Sequence, residues 1–185
     1  MAEKPRQRLL LVEDDPGVAL MLSDHLEETL PVDVTVVDNA EAAVLADQDK
    51  PYDIVLTDLL LPDANGLQLV RRLRMQGNHA VILMSGQPTL GRAIEAMRLG
   101  CLDLLTKPFD LSRLTYAINR AIEEQNREHR ERIRQYRLRK LTSRIVKDRR
   151  RLRERVDLVC RDLVRAYREL AKKVVETRDE SNVTS

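Results

Sequence analysis

With 185 residues, 34% of them charged and 43% hydrophobic, the chain has room for one ordinary domain and an appendage. No apolar stretch approaches the roughly 18–20 residues of a membrane span, Met1-Ala2-Glu3-Lys4-Pro5 does not read as a signal peptide, and Cys101 and Cys160 lie in settings too different for a disulfide, so a reduced, cytoplasmic protein without membrane contact is expected. The net charge of +2 hides a split: residues 1–119 carry 11 Lys/Arg and 18 Asp/Glu, a balance of −7, whereas residues 120–185 carry 21 and 12, a balance of +9.

The first apolar run, Leu9-Leu10-Leu11-Val12, places a strand near 8–13 that ends on two acids, Glu13 and Asp14. Pro16 fits a first helical turn, where the N–H it lacks would go unbonded, and opens a helix near 16–29. A strand near 33–37 follows, then Asn39 as the N-cap of a helix near 40–48. The run Ile54-Val55-Leu56-Thr57 puts a third strand near 53–57. It stops at Asp58 and gives way to the turn sequence Leu61-Pro62-Asp63-Ala64-Asn65-Gly66. A helix near 66–76 stops at Gly77, a strand near 80–84 ends at Ser85, and a helix near 88–99 stops at Gly100. The last apolar run, Cys101 to Thr106, opens on the first cysteine and is followed by Lys107 and Pro108. Asp110 can then cap a helix from 110 onward whose seam begins Leu111, Leu114, Ile118.

Short continuous apolar runs alternating with helix-length segments predict an α/β fold with a five-stranded parallel sheet, its strands buried on both faces. In such sheets ligands bind at the carboxyl ends of the strands. Glu13, Asp14, Asp58, Ser85 and Lys107 all stand at strand ends, so they converge on one edge of the sheet.

Beyond this repeat all signals are helical. The six glycines and seven prolines lie at or before Pro108, which leaves 77 residues without a helix breaker. Apolar residues recur at Leu138, Leu141, Ile145, Leu152, Val156, Val159, Leu163, Ala166, Leu170 and Val174, in the steps of three and four of a coiled-coil seam. Two consecutive four-residue steps at Asp148-Leu152-Val156 read as a stutter, and the seam is poor between Ile122 and Ile133. One long helix and a hairpin broken at Thr142-Ser143 both fit this pattern. Residues from Thr177 should fray. The expected organisation is a domain over 1–120, a helical coiled-coil-like region over 121–178 and a disordered tail over 179–185.

Glu13, Asp14 and Asp58 at neighbouring strand ends would set like charges a few ångströms apart, which raises the pKa of one of them. A hard divalent cation with oxygen ligands relieves that repulsion, and Mg²⁺ typically takes one or two carboxylates together with phosphate oxygens and water. Lys107 adds a fixed positive charge and Ser85 a hydroxyl donor. Carboxylate, Mg²⁺, ammonium and hydroxyl are the groups that stabilise charge on a transferring phosphoryl group.

On these residues the chain resembles the receiver domains of two-component response regulators. The matching stretches are Leu-Leu-Leu-Val-Glu-Asp-Asp-Pro (9–16), Asp-Leu-Leu-Leu-Pro-Asp-Ala-Asn-Gly-Leu (58–67), Met-Ser-Gly (84–86) and Asp-Leu-Leu-Thr-Lys-Pro-Phe (103–109). The resemblance implies a flavodoxin-like strand order 2-1-3-4-5. It implies that Asp58 accepts a phosphoryl group from a phosphohistidine of a sensor histidine kinase or phosphotransfer protein, with autophosphorylation and autodephosphorylation as the only enzyme-like activity. Asp14 would ligate Mg²⁺ directly and Glu13 through water, with Asp58 and the backbone carbonyl of Leu60 completing the protein ligands. Ser85 and Lys107 would hold phosphoryl oxygens, and Pro108 would follow a cis peptide. One position departs from the pattern: Leu104 stands three places before the lysine, where the family usually has an aromatic switch residue. Its rotation behind the displaced Ser85 hydroxyl does not transfer to a leucine, and the five aromatics (Tyr52, Phe109, Tyr116, Tyr136, Tyr167) offer no evident substitute.

The tail resembles no established output domain. A homodimer through the C-terminal helix, or docking of a downstream protein whose identity the sequence does not name, is the favoured output. A parallel dimer would bring two receivers side by side. Residues 127–155 hold 14 Lys/Arg against four acids, which invites a leucine-zipper reading in which the basic helix contacts DNA. Against it, Leu138, Leu141 and Ile145 interleave with the basic residues and favour burial. Nucleic acid is therefore an alternative partner and not the favoured one. A phosphatase-type helical output is a further alternative, resting on Gln125 and Asn126. His129 lacks the following proline of a kinase phosphorylation helix, and His25 and His79 stand alone and indicate no metal site.

Overall fold

Five strands alternate with five helices in a computed structural model that describes residues 6–182, with side chains through Arg168. In chain order these are β1 (Gln7–Val12), α1 (Pro16–Thr29), β2 (Val32–Val37), α2 (Ala40–Asp49), β3 (Ile54–Asp58), α3 (Gly66–Gln76), β4 (Ala80–Ser85), α4 (Leu90–Arg98), β5 (Asp103–Thr106) and α5 (Leu111–Asn182). All strands run parallel in the order β2-β1-β3-β4-β5, the order that the resemblance implies. Among the described residues no helix is long and apolar enough to cross a membrane.

The pleat of the central strands divides the core in two. Leu9 and Leu11 of β1, Ile54 and Leu56 of β3, and Ile82 and Met84 of β4 pack beneath α1 and α5, through Leu22, Leu26, Leu114, Ile118 and Ala121. Leu10, Val12, Val55, Val81 and Leu83 point the other way, onto Val44 of α2, Leu69, Val70 and Leu73 of α3, and Ala96 of α4. Burial on both faces holds for β3 and β4, every residue of which is buried. It does not hold at the sheet edges: β2 and β5 are only partly buried, because an edge strand has a neighbour on one side only.

Local chemistry sets the helix starts. Asp15 caps α1, its carboxylate accepting from Gly17 and Val18 N–H, with Pro16 in the first turn. Asn39 caps α2 through Ala42 N–H at 2.7 Å. Asn65 and Gln68 form a capping box at the start of α3. Thr89 caps α4, so that helix begins at Leu90, two residues later than its sequence pattern places it. Strand β5 begins at Asp103 and not at Cys101, because Cys101 N–H still bonds back to the Ala96 carbonyl of α4, after Gly100 has turned the chain with φ +75°. Cys101 is therefore a half-buried turn residue that does not open a strand.

Helix α5 is unbroken through Thr142-Ser143, which removes the hairpin alternative; the Thr142 hydroxyl donates to Leu138 O within the helix instead of capping a new one. The helical backbone continues to Asn182, past the expected fraying point at Thr177; the last residues of the 179–185 tail lie outside the described residues. The chain divides into two compact units between Arg130 and Glu131. Within the first unit α5 stays attached past Ile122: Gln125 is buried with its amide near Asn78 O, and Glu128 accepts from the Asn78 amide at 2.5 Å. Burial removes Gln125 from any exposed catalytic seam. Within the second unit every described residue is exposed.

His79 does not stand alone. It is buried with Asp47, whose carboxylate accepts from His79 Nε2 at 3.0 Å and from Tyr52 N–H at 2.9 Å. The imidazole faces that carboxylate through Nε2. Its Nδ1 has no partner, and burial, only partly offset by the Asp47 charge, lowers its pKa. Removing the carboxylate with Asp47→Ala orphans both donors and should cost about 3 kcal/mol of stability. The unfolded chain binds a proton at its ordinary value near 6.5 while the folded one resists it. Stability should therefore hold above about pH 6.5 and decline as pH falls below it, and His79→Gln should flatten that decline. Urea denaturation midpoints of both proteins at several pH values between about 5 and 8 check this.

Candidate functional site

The strand registers determine which polar residues meet. Val12 pairs with Thr57, Asp58 with Met84 and Ser85 with Thr106, so the carboxyl ends of β1, β3, β4 and β5 finish almost level. Glu13 follows β1, Asp58 and Ser85 are the last residues of β3 and β4, and Lys107 follows β5. Lys107 Nζ lies 2.7 Å from Glu13 Oε2 and 2.5 Å from Asp58 Oδ2, so one ammonium bridges both carboxylates. Asp58 Oδ1 accepts from Leu60 N–H at 2.8 Å, which fixes the carboxylate plane. Ser85 is buried, its hydroxyl accepts from Gln87 N–H, and its carbonyl accepts from Lys107 N–H at 2.8 Å. The Lys107–Pro108 peptide is cis.

The electrostatics follow from burial and from that bridge. Glu13 is 3% exposed. Burial pushes its pKa up, Lys107 pulls it down, and the Asp58 and Asp14 charges push it up again; burial wins. At Lys107 burial disfavours the ammonium, but its hydrogen bonds to Asp58 and Glu13 and their charges together hold its pKa above the ordinary lysine value. Pairing wins there because the ammonium is shared between two anions.

Of the residues read from sequence, Glu13, Asp58 and Lys107 are in direct contact and Ser85 joins them through its backbone. Asp14 is exposed beside Glu13 and has no hydrogen bond or ion pair among the described residues. Leu60 meets Asp58 through its N–H. Leu104 is partly buried against the core beneath α2, α3 and α4 and pairs with Leu83, so its side chain packs as an aliphatic core residue. Among the described residues no three His, Cys, Asp or Glu side chains converge as a ready-made metal cluster. The donor set nevertheless fits Mg²⁺ chemically: it consists of hard oxygens, with the Glu13 and Asp58 carboxylates sharing a single ammonium and the Asp14 carboxylate beside them.

Two supporting residues carry more than the sequence reading assigned them. A Cβ at Gly66 would collide with the Asp58 backbone oxygen and press on Leu59 Cα, so only glycine lets α3 begin this close to the phosphoacceptor candidate. Asp63 accepts from Ala40 N–H at 2.9 Å and Glu41 N–H at 3.0 Å, tying the β3–α3 loop to the start of α2, and these bonds lower its pKa. The Asn65-x-x-Gln68 capping box was the legible signal that α3 starts at Gly66, whereas the Asp63 contact spans 23 residues and had none.

The comparisons agree on the first part of the chain. The model of the response regulator receiver domain family matches residues 9–119. The transcriptional regulatory protein CiaR of Streptococcus pneumoniae is 36% identical over 112 residues, 60% of this chain and 49% of CiaR. The response regulator protein PilR of Pseudomonas aeruginosa is 33% identical over 124 residues, 66% of this chain and 28% of PilR. The chain thus spans half or less of the length of these curated relatives. Among solved structures, the signal receiver domain of an HD domain-containing protein from Pseudomonas fluorescens superposes with a TM-score of 0.65 at 26% identity, covering 70% of this chain and 96% of that one.

Gly66→Ala should displace the β3–α3 loop that follows Asp58 and cost about 1–3 kcal/mol, because the clash is with backbone and not with a flexible side chain. A fall in the urea midpoint at unchanged slope checks this, and an unchanged midpoint would show that the loop has room to give.

Proposed function

This chain belongs to the response regulator receiver family, and from that premise we propose that it is a phosphorylated switch in a two-component system, with Asp58 as phosphoacceptor and α5 as its output. A receiver domain is a phosphoacceptor and not a turnover enzyme, and its family implies a histidine kinase partner. The observation that carries the reading is the Lys107 bridge, which holds the Asp58 carboxylate at the sheet edge with one oxygen on Leu60 N–H and the other on an ammonium.

In the proposed reaction an Asp58 oxygen attacks phosphorus of a phosphohistidine. The P–N bond breaks with its electron pair staying on the imidazole, and an acyl phosphate forms. Glu13, Asp14, Asp58 and the Leu60 carbonyl are the residues that would hold Mg²⁺, which when bound supplies charge neutralisation for the incoming phosphoryl oxygens. Lys107 exchanges its contact with Asp58 for a phosphoryl oxygen, and the Ser85 hydroxyl donates to another.

The output proposed for α5 is self-association or protein docking. Leu138, Leu141, Ile145, Leu152, Val156, Val159 and Leu163 are each half or more exposed, a burden that a helix relieves by pairing. Contact with nucleic acid is the second reading, favoured by the 14 Lys/Arg against four acids over residues 127–155.

Acetyl phosphate should label the protein only with Mg²⁺ or Mn²⁺ present, the label should be sensitive to hydroxylamine, and both Asp58→Asn and Asp14→Ala should abolish it while leaving the circular dichroism spectrum intact. Labelling that persists in Asp58→Asn, or without divalent metal, would sink the assignment. Duplex DNA should bind weakly, without sequence preference, and lose affinity steeply with added salt, as contacts to phosphate alone require. Retention of nanomolar, sequence-selective binding at physiological salt would make the basic helix a DNA reader.

A further inference from the structure

From Leu138 the tail repeats itself. Residues 138–155, LRKLTSRIVKDRRRLRER, align without a gap on residues 156–173, VDLVCRDLVRAYRELAKK. The alignment pairs Leu141 with Val159, Ile145 with Leu163, Val146 with Val164, Lys147 with Arg165, Arg150 with Arg168 and Leu152 with Leu170. The seam steps by 3, 4, 3, 4 and 4 from Leu138 through Leu141, Ile145, Asp148 and Leu152 to Val156. It takes the same steps from Val156 through Val159, Leu163, Ala166 and Leu170 to Val174. The apparent stutter is therefore a recurring part of the period, not a defect.

That period has a mechanical consequence. A seven-residue repeat winds helices into a left-handed supercoil and an eleven-residue repeat into a right-handed one. Their sum, 18 residues in five steps, equals five turns of an undistorted α-helix at about 3.6 residues per turn. The seam thus stays on one face of a straight helix for about 54 Å, at about 1.5 Å per residue. Its leucine, isoleucine and valine members from Leu138 to Leu163 are 52–69% exposed. The surface that best matches such a seam in period and length is the same seam on a second copy, in a two-fold, self-complementary contact.

Charge decides the direction. The first repeat carries nine Lys/Arg against two acids, a balance of +7, and the second carries five against three, a balance of +2. Parallel, in-register pairing sets the two most basic segments side by side. Antiparallel pairing sets each against the weakly charged segment and roughly halves the summed charge product. The seam slot held by Asp148 and Arg149 in the first repeat is held by Ala166 and Tyr167 in the second. About an axis at Val156, antiparallel pairing sets Asp148 and Arg149 across from Val164 and Leu163 of the second copy, whereas parallel pairing stacks the charged slot on itself.

We propose that residues 138–174 form a straight, antiparallel helix pair with a second copy of this chain, the first repeat of one against the second repeat of the other, about a two-fold axis near Val156. This rests on the self-association reading above and adds partner, direction and register to it. The N-terminal units of the two chains are joined to opposite ends of the paired segment.

Site-directed disulfides in the full chain test it, in a Cys160→Ser background. Cys101 stays in place, since it is half-buried and its thiol is pushed up to about 11 by burial. Ile145→Cys and Ala166→Cys should each give little cross-linked dimer on mild oxidation when alone. Mixed in equal amounts they should give at least tenfold more. Strong self-cross-linking of Ile145→Cys would show a parallel pair and overturn the proposal while leaving self-association standing. A dimer by sedimentation that never cross-links in the mixture would overturn the register. A monomer at tens of micromolar would remove self-association itself, as would a monomer whose tail pairs only when duplex DNA is added. Raising salt from about 50 to 500 mM should tighten the dimer severalfold by screening like charges, the opposite of phosphate binding, and loosening would count against it.

Discussion

One ammonium between two carboxylates is the constraint on which the polar edge of the sheet depends. Glu13 and Asp58 are both nearly buried, and two unpaired carboxylates at that depth would cost several kcal/mol each. Lys107 is the cation that lets them coexist, and it directly follows β5, the strand farthest from β1 on that side of the sheet. The contact therefore reports the whole sheet. β1, β3, β4 and β5 must be in register, and Ser85 O must accept from Lys107 N–H, before the ammonium reaches both anions. The arrangement is stable but not inert. Its charges balance only two to one, so a group that brings further positive charge to Glu13 and Asp58 competes with Lys107.

The legible part of this fold is the part written in short-range pattern. Each central strand is a continuous apolar run, and each polar site residue sits at the end of one, so the parallel sheet, its order through the resemblance, and the edge shared by Glu13, Asp58, Ser85 and Lys107 could all be anticipated. Boundaries shifted where capping or edge effects intervened. Thr89 delays α4, and Cys101 remains bonded to the end of α4 instead of starting β5. The Asp47–His79 pair and the Asp63 tie to α2 span 32 and 23 residues and involve polar groups with no periodicity, so no local reading could supply them. The hairpin alternative failed for a thermodynamic reason: Thr and Ser can cap a helix, but they also bond back to the preceding turn, and without a glycine or proline nothing enforces a break.

The tail inverts the usual relation between sequence and fold. Its backbone is simple and its sequence carries the information, in a period that neither a heptad nor a hendecad alone describes. A seam at about 3.6 residues per step puts no twist into a helix pair, so the contact is as long as the repeat and no longer. Basic residues crowd the first repeat and thin out in the second, which makes the two possible directions of pairing energetically unequal. Salt dependence separates a helix that repels its own copy from one that seeks a polyanion, because screening strengthens the first contact and weakens the second.

The proposed switch needs a route from Asp58 to α5, and Leu104 bears on which route is open. A leucine packed against Leu83 and the core beneath α2, α3 and α4 has no polar edge with which to follow the Ser85 hydroxyl. The neighbouring residue does reach the helix: Asp103, mostly buried on β5, binds Arg113 at 2.8 Å and approaches Arg120 at 3.8 Å, both on α5. Strand β5 is thus fastened at one end to Glu13 and Asp58 by Lys107 and along its side to α5 by Asp103. If Lys107 leaves Asp58 for a phosphoryl oxygen, β5 is the element whose anchoring changes, and a carboxylate holding two arginines is well placed to pass a small strand movement to the helix. Only a state in which those contacts differ in free energy can shift the tail, so the coupling would run through backbone and ion pair and would not require a rotating ring.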